Sequence, residues 1–265
     1  MNIRNRSRLS LLLIAGVTLA ALTGIKASSG DEISVLLEKV VQRRASYPEM
    51  THWQASVQST AYEMDKNWKP KKKTVVHKIV RVKERDRQES IQSAIEIKNG
   101  KNKDVTQEYI NRAYKEREKN ARRKREEKNN ESKANRRRHM DMTLDEFFPF
   151  GKEKRVNYDF AILDESSIEG IPVQIIETHA KQRTEDFLEG KYYIDRKTFD
   201  ILRVELQFAK NPGPLKRLEM GADFQIHPQG YHTLKSTSFR IHVGLVVKNI
   251  RMEAVEEYSN YQILD

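Results

Sequence analysis

The side chains that could do chemistry in this 265-residue chain are few and scattered. Seven histidines stand at His52, His77, His139, His179, His227, His232 and His242. None belongs to a His-Glu-x-x-His pair, and no three ligands cluster at metal-binding spacing. His227 and His232 flank one turn and could meet across a hairpin, although exposed turn histidines are the simpler reading. There is no cysteine, which removes thiolate nucleophiles, thiolate metal sites and disulfides together. No Gly-x-Ser-x-Gly elbow or Walker loop is present. Glu177, Asp186 and Glu189 offer carboxylates, but without a partner constellation they read as surface charge. The expectation is no catalytic residue, no metal, no cofactor and no enzyme.

Charge is the second resource. Arg112 to Arg138 holds thirteen Lys/Arg and five Glu, a local +8. The first 27 residues add four basic residues and no acid. The chain total is +11, so these two stretches leave −1 for the rest. Basic character therefore belongs to one insert and one terminus. Between Lys115 and His139 only Ala121 and Ala134 are apolar, which predicts a projecting helix without a core-facing stripe. Arg122, Arg123, Lys124, Arg125, Arg136, Arg137 and Arg138 are candidates for contact with an anionic membrane surface or acidic polymer. The five Glu residues favour a merely solvated tract. No aromatics interleave with the basic residues after Tyr114, so nucleic acid is not an expected partner.

Aromatic and terminal patterns complete the inventory. Trp53, Phe147, Phe148, Phe160, Phe208 and Phe224, with Trp68 beside them, could line an apolar pocket. Each alone is more often plain core. Arg4, Arg6 and Arg8 precede an apolar run from Leu9 to Ile25, and Ala27-Ser28 offers a cleavage point. The run is short for a membrane span of about 20 residues. Residues 1–27 are therefore expected to be a signal peptide, and the mature protein periplasmic or otherwise in the cell envelope. An uncleaved anchor is the alternative. Residues 28–265 are expected to form one domain, interrupted by a charged, solvated insert over 115–139.

The elements that must position these residues follow from periodicity. Ile33, Leu36, Leu37, Val40 and Val41 recur at helical spacing, so Asp31 to Ala45 reads as an amphipathic helix stopped by Tyr47-Pro48. Trp53–Met64 and Thr74–Val82 read as a hairpin around Asn67-Trp68-Lys69-Pro70. Ile91, Ser93, Ile95 and Ile97 share one parity before an Asn99-Gly100 turn. Asp104 opens a second helix, with Gln107 at capping-box spacing. Val105, Tyr109, Ile110 and Ala113 form its docked face. Thr143 to Glu146 looks like another cap, and Phe147, Phe148 and Phe150 mark re-entry to the core. Beyond Arg155 alternation dominates: Val156, Tyr158, Phe160, Ile162; Leu202, Val204, Leu206, Phe208; Leu218, Met220, Ala222, Phe224, Ile226. Thr233–Val243 and Val247–Tyr258 are the last long strands.

Several of these segments resemble LolA-like envelope proteins. The residues concerned are Tyr192-Tyr193-Ile194-Asp195 followed by Ile201-Leu202-Arg203-Val204-Glu205, then Leu218 to Ile226, Gly230-Tyr231 and Glu256 to Tyr261. Tyr62-Glu63-Met64-Asp65 and Lys98-Asn99-Gly100-Lys101 fit as well. The resemblance spans roughly residues 31–264 and is weakest in the insert. It implies an α+β fold: an open, strongly curved antiparallel β half-barrel with helices across its concave face. It implies a groove that binds a lipid, an acyl chain or a lipidated partner, as in lipoprotein sorting. The missing cysteine argues against the lipid-anchored branch of that group. The alternative from the residues alone is a structural or interaction protein with a filled core, whose basic arm docks an anionic surface or partner. A groove of several hundred Å³ would favour the first.

Overall fold

The computed structural model describes residues 30–84, 86–129, 148–245 and 249–264, the side chains of 120, 123–129 and 164 excepted. The expected signal peptide, the Thr143–Glu146 cap, Phe147 and Arg136 to Arg138 lie outside these residues. Three helices are described: α1 (Gly30–Ala45), α2 (Thr106–Asn129) and α3 (Lys152–Arg155). Eleven strands are described. The first meander is β1 (His52–Met64), β2 (Pro70–Lys83), β3 (Asp86–Lys98) and β4 (Lys101–Asp104). The second is β5 (Tyr158–Ile168), β6 (Ile171–Ala180), β7 (Leu188–Asp195), β8 (Ile201–Phe208), β9 (Leu215–Ile226), β10 (His232–Gly244) and β11 (Asn249–Ile263).

All eleven strands form one open antiparallel sheet, ordered β4-β3-β2-β1-β11-β10-β9-β8-β7-β6-β5. The meanders meet at its interior, where β1 pairs with β11. Tight turns follow from the sequence. Asn99 and Gly100 both take positive φ, 51° and 72°, the geometry a two-residue hairpin between β3 and β4 favours. Gly190 is forced by packing, because a Cβ there would collide with the Glu205 carbonyl of the neighbouring strand.

The helices cover one face. Leu37 and Val40 of α1 are wholly buried against Ile194, Ile201, Val204 and Leu206. Each such side chain contributes about 1.5–3 kcal/mol relative to exposure. Asp31 and Glu32 stand in the first turn of α1, and Arg43 and Arg44 in its last, matching the helix dipole at both ends. α2 docks through Val105 and Tyr109 onto Val76, Ile91 and Ala94. Asp104 Oδ1 accepts the Thr106 N–H at 2.8 Å, so Asp104 caps α2 from the end of β4.

Three expected parities shift, each for a local reason. Gln92 is an extra residue in β3 opposite the His77–Lys78 step. Ile91 and Ala94 therefore share the covered face, while Ile95 is 41% exposed. Leu202 is the extra residue of a bulge in β8. Ile201, rather than Leu202, joins Val204, Leu206 and Phe208 in the core. Val156 caps the short α3 before β5 begins and is 66% exposed, so it does not share the inward face of Tyr158. The segment after Tyr114 also contacts the sheet, which its composition did not suggest: Arg117 donates to the Glu89 carbonyl of β3.

Candidate functional site

The helix stop at Tyr47-Pro48 places the chain at the mouth of a cavity. Proline disfavours the α conformation in the residue before it, and α1 ends with Ser46 N–H bonding back to Gln42 and Arg43 carbonyls at 3.1 Å. The chain then crosses to β1. Phe148 and Phe150 approach from the other side. Both are buried, and Phe150 meets Tyr192 edge-on at 4.7 Å. Arg155 holds the segment by donating to the Phe150 carbonyl at 3.2 and 3.0 Å and reaches Ser34 of α1 at 3.5 Å.

Between α1, Phe148–Lys154 and the sheet lies a cavity of about 910 Å³. Val40, Val41, Met50, Trp53, Phe148 and Leu234 give it apolar walls. Phe224, His232 and Tyr261 complete the sheet side. Arg44, Glu49, Lys152, Glu153 and Lys154 supply its polar lining. The Arg44 guanidinium sits 3.9 Å over the Phe148 ring.

Two devices shape the walls. The first is a bulge in β11: the β1–β11 register slips between Gln54 and Ser56, and Asn260 takes φ 51°. Tyr258 and Tyr261 are three residues apart and would face opposite sides of a regular strand. The bulge turns both onto the covered face, stacked at 6.4 Å. Tyr261 then contacts Trp53 at 5.5 Å and donates to the Leu234 carbonyl at 2.9 Å.

The second device anchors the end of α1. Arg43 donates to both oxygens of Asp200 at 2.7 and 3.2 Å, and the Tyr47 hydroxyl donates to the same carboxylate at 2.6 Å. Burial alone would raise the Asp200 pKa, but hydrogen bonds from Arg43, Tyr47 and Thr198 outweigh it and hold the carboxyl below its ordinary value. His232 lies stacked between Tyr47 at 5.3 Å and Phe224 at 4.8 Å. Its Nε2 is 3.0 Å from the Ile201 carbonyl. Burial is the main reason its pKa is pushed down, with the Ile201 carbonyl and Asp200 opposing. His232 is therefore a neutral wall residue near pH 7, donating through Nε2.

Of the aromatic candidates, Trp53, Phe148 and Phe224 line the cavity. Phe160 and Phe208 pack into the core beside it. Trp68 stands in the β1–β2 turn, within cation–π range of Arg217 and Arg240. Tyr47, Phe150, His232 and Tyr261 were missed as lining residues. A helix stop next to an aromatic pointed to Tyr47, but nothing near His232 marks it. Among the basic candidates, Arg122 is exposed on α2, and the backbone of Arg123, Lys124 and Arg125 continues the helix. His227 and His232 do not come together as ligands: His227 Nδ1 accepts the Gln229 N–H within its own turn at 3.3 Å. Glu177 pairs with His179 at 3.2 Å, and Glu189 accepts the Ala180 N–H, so those carboxylates have structural partners.

A second cluster occupies the same face under α2. Lys78, 9% exposed, reaches Glu89 at 3.0 Å and Glu256 at 2.8 Å. Arg87 also holds Glu89, at 2.8 Å, and the Tyr258 hydroxyl donates to Glu256 at 2.9 Å. Burial and the Glu256 charge push the Tyr258 phenol up to about 12. These groups satisfy one another.

No known family profile matches this chain, and no curated protein matches it in sequence. Solved structures match it along most of its length. A LolA superfamily protein from Nitrosomonas europaea is 12% identical, covering 87% of this chain and 93% of that one, with a TM-score of 0.37. A putative outer membrane lipoprotein-sorting protein domain from Vibrio parahaemolyticus is 10% identical, covering 85% and 91%, with a TM-score of 0.37. The MucA/MucB complex of Pseudomonas aeruginosa gives 8% identity, 88% and 99% coverage and a TM-score of 0.26. No residue role is carried over from them.

Proposed function

We propose that this is an exported, non-catalytic envelope protein that binds an acyl chain, from a lipid or a lipidated partner, in the cavity beneath α1. The observation that carries this reading is the cavity itself. Its volume of about 910 Å³ lies within the range of about 300–1,000 Å³ usual for ligand sites. A protein with a filled core would close this space, so the volume favours ligand binding over a purely structural role. Trp53, Phe148 and Phe224 are the proposed wall contacts. A half-barrel curvature that makes the covered face concave belongs to the same reading, as does export on a signal peptide cleaved after Ala27. N-terminal sequencing of the secreted form tests that cleavage.

Native mass spectrometry of protein purified from its own envelope tests the ligand, with co-purified lipid expected. Val41→Trp sharpens the test. Val41 lines the cavity from a partly exposed position on α1, so a bulky ring there should fill space without breaking the core. Binding of a fluorescent fatty acid should fall about tenfold while the melting temperature holds, since about 1.4 kcal/mol of lost contact is a factor of ten. A protein that carries no lipid and binds none with Val41 intact overturns the reading.

A further inference from the structure

The basic half of α2 and the cavity mouth lie at the same end of the molecule. Strand register fixes this. Trp53 pairs with Val82, and Val82 with Arg87. The start of β1, the end of β2 and the start of β3 therefore form one end of the sheet, and Trp53 lines the cavity there. α2 begins level with Ala94, whose carbonyl accepts the Val105 N–H. It runs along β3 until Arg117 reaches the Glu89 carbonyl. Twelve further helical residues follow, to Asn129. At 1.5 Å each they extend about 18 Å, while only three residues of β3, about 10 Å, remain beyond Glu89. The helix thus projects past the sheet at Trp53's end, on the covered face. From Lys115 to Lys128 this stretch carries eight basic residues and four acidic ones. Lys115, Lys119 and Arg122 are exposed on it.

We infer that the projecting half of α2 docks on an anionic lipid bilayer and turns the cavity mouth toward it. The orientation rests on the lipid-binding reading of the cavity for its purpose; the docking does not. A bilayer fits better than a compact acidic partner because the charge is spread along the helix without an apolar stripe. Such a surface binds by accumulated, screened attraction rather than by a shaped contact. The cavity mouth beside it would then exchange acyl chains with the surface at short range.

The chain's two tryptophans make the geometry measurable. Trp53 is at the mouth end, and Trp68 lies in the turn at the other end of β1, about 40 Å away. Protein recovered from the periplasm of the expression host would be prepared as Trp68→Phe and as Trp53→Phe. Each is mixed with vesicles of phosphatidylcholine containing about one-third phosphatidylglycerol with brominated acyl chains, a fraction that gives the charged surface the attraction requires. The expected result is quenching of Trp53 and none of Trp68. Sedimentation with the vesicles should weaken at least about tenfold when Lys115, Lys119 and Arg122 are all changed to Glu, and likewise at high salt. Vesicles of phosphatidylcholine alone should bind neither protein.

A monomeric brominated fatty acid separates the two claims. It should quench Trp53 equally with and without the charge changes. If it fails to quench while the vesicles still bind through the arm, the cavity reading falls and the docking stands. Three results overturn the docking: vesicle binding unchanged by the charge reversal, quenching of Trp68 instead of Trp53, or salt-sensitive binding to polyphosphate with no binding to vesicles.

Discussion

Beneath α1, Leu37 and Val40 meet Ile194, Val204 and Leu206 in a buried apolar layer. Beneath α2, on the same face of the same sheet, Lys78 lies between Glu89 and Glu256, with Arg87 and Arg117 around them. Both halves are built on strand alternation, yet one is sealed mainly by apolar area, while the other adds a cluster of matched charge to the apolar dock of Val105 and Tyr109. The apolar half tolerates a void, because its rigid rings hold the walls apart. The ionic half tolerates none, because each group depends on its partners at hydrogen-bond distance. The cavity lies where the two meet, with Phe148 and Phe224 on one side and Trp53 and Tyr261 on the other.

Substitutions in each half test that contrast. The largest effect is expected from Val204→Asp. Val204 is 2% exposed in the apolar layer, packed among buried apolar side chains. The cost of a buried unpaired charge, several kcal/mol, is comparable with a typical total of about 5–15 kcal/mol. No cooperative melting transition should remain. Arg203→Ala, one residue away, removes only a part-exposed bond to Asp223 and should cost about 1 kcal/mol or less. Equal melting of the two variants would erase the distinction between the faces of β8.

Lys78→Met should come second. Removing one member of a buried pair costs about 3–5 kcal/mol when burial is complete. Glu89 is one-third exposed, which lowers the expected loss to about 2–3 kcal/mol. Circular dichroism melts should shift down by about 5–10 °C. The double change Lys78→Met and Glu256→Gln should recover most of this, since Glu89 keeps Arg87 as its partner. A single variant as stable as the parent would show that the ionic half contributes nothing.

The smallest effect is in pH. His232 has a lowered folded pKa, so the unfolded chain takes up a proton that the native ring refuses. Stability should therefore decline as pH falls from about 6.5 toward that lowered value. Glu89 also has a lowered folded pKa. Burial opposes this shift, but the Lys78 charge and the Arg87 hydrogen bond outweigh it. Its contribution is complete above about 4.3 and is lost as pH falls further, through the folded value. The half beneath α1 should thus weaken first on acidification. Melting temperature against pH should show His232→Gln flattening the upper window and leaving the lower one intact. A parent protein with constant stability between about pH 5 and 6.5 would refute the assignment.

Much of the framework was legible because it rests on short-range periodicity. α1, the Asn99-Gly100 hairpin, the α2 dock through Val105 and Tyr109, and the alternation of Val204, Leu206 and Phe208 all follow from spacing. Two of the three misread parities share a cause. Gln92 and Leu202 are single extra residues whose place depends on the opposite strand, and a chain read alone has no opposite strand. The cavity suffered likewise. Trp53, Phe148 and Phe224 were named as aromatics before their neighbourhood was known. Tyr261 escaped because its orientation depends on a bulge against β1, and His232 because its stack is made by Tyr47, just past α1, and by Phe224 of β9. Lys78 gave no sign at all, since a lysine in a basic strand looks solvated until Glu256 arrives from the far end of the chain.

The pairing of β1 with β11 has a kinetic meaning. Gln54 and Gln262 bond side chain to side chain across 208 positions, so the ladder that unites the two meanders is among the most non-local contacts in the molecule. Each meander can assemble from neighbouring strands, but the joint between them must wait for β11 and for the closure of a very long loop. Such topologies reach the native state slowly. Until that closure Trp53 has no Tyr261 beside it, so the wall of the cavity cannot be complete before β11 pairs with β1.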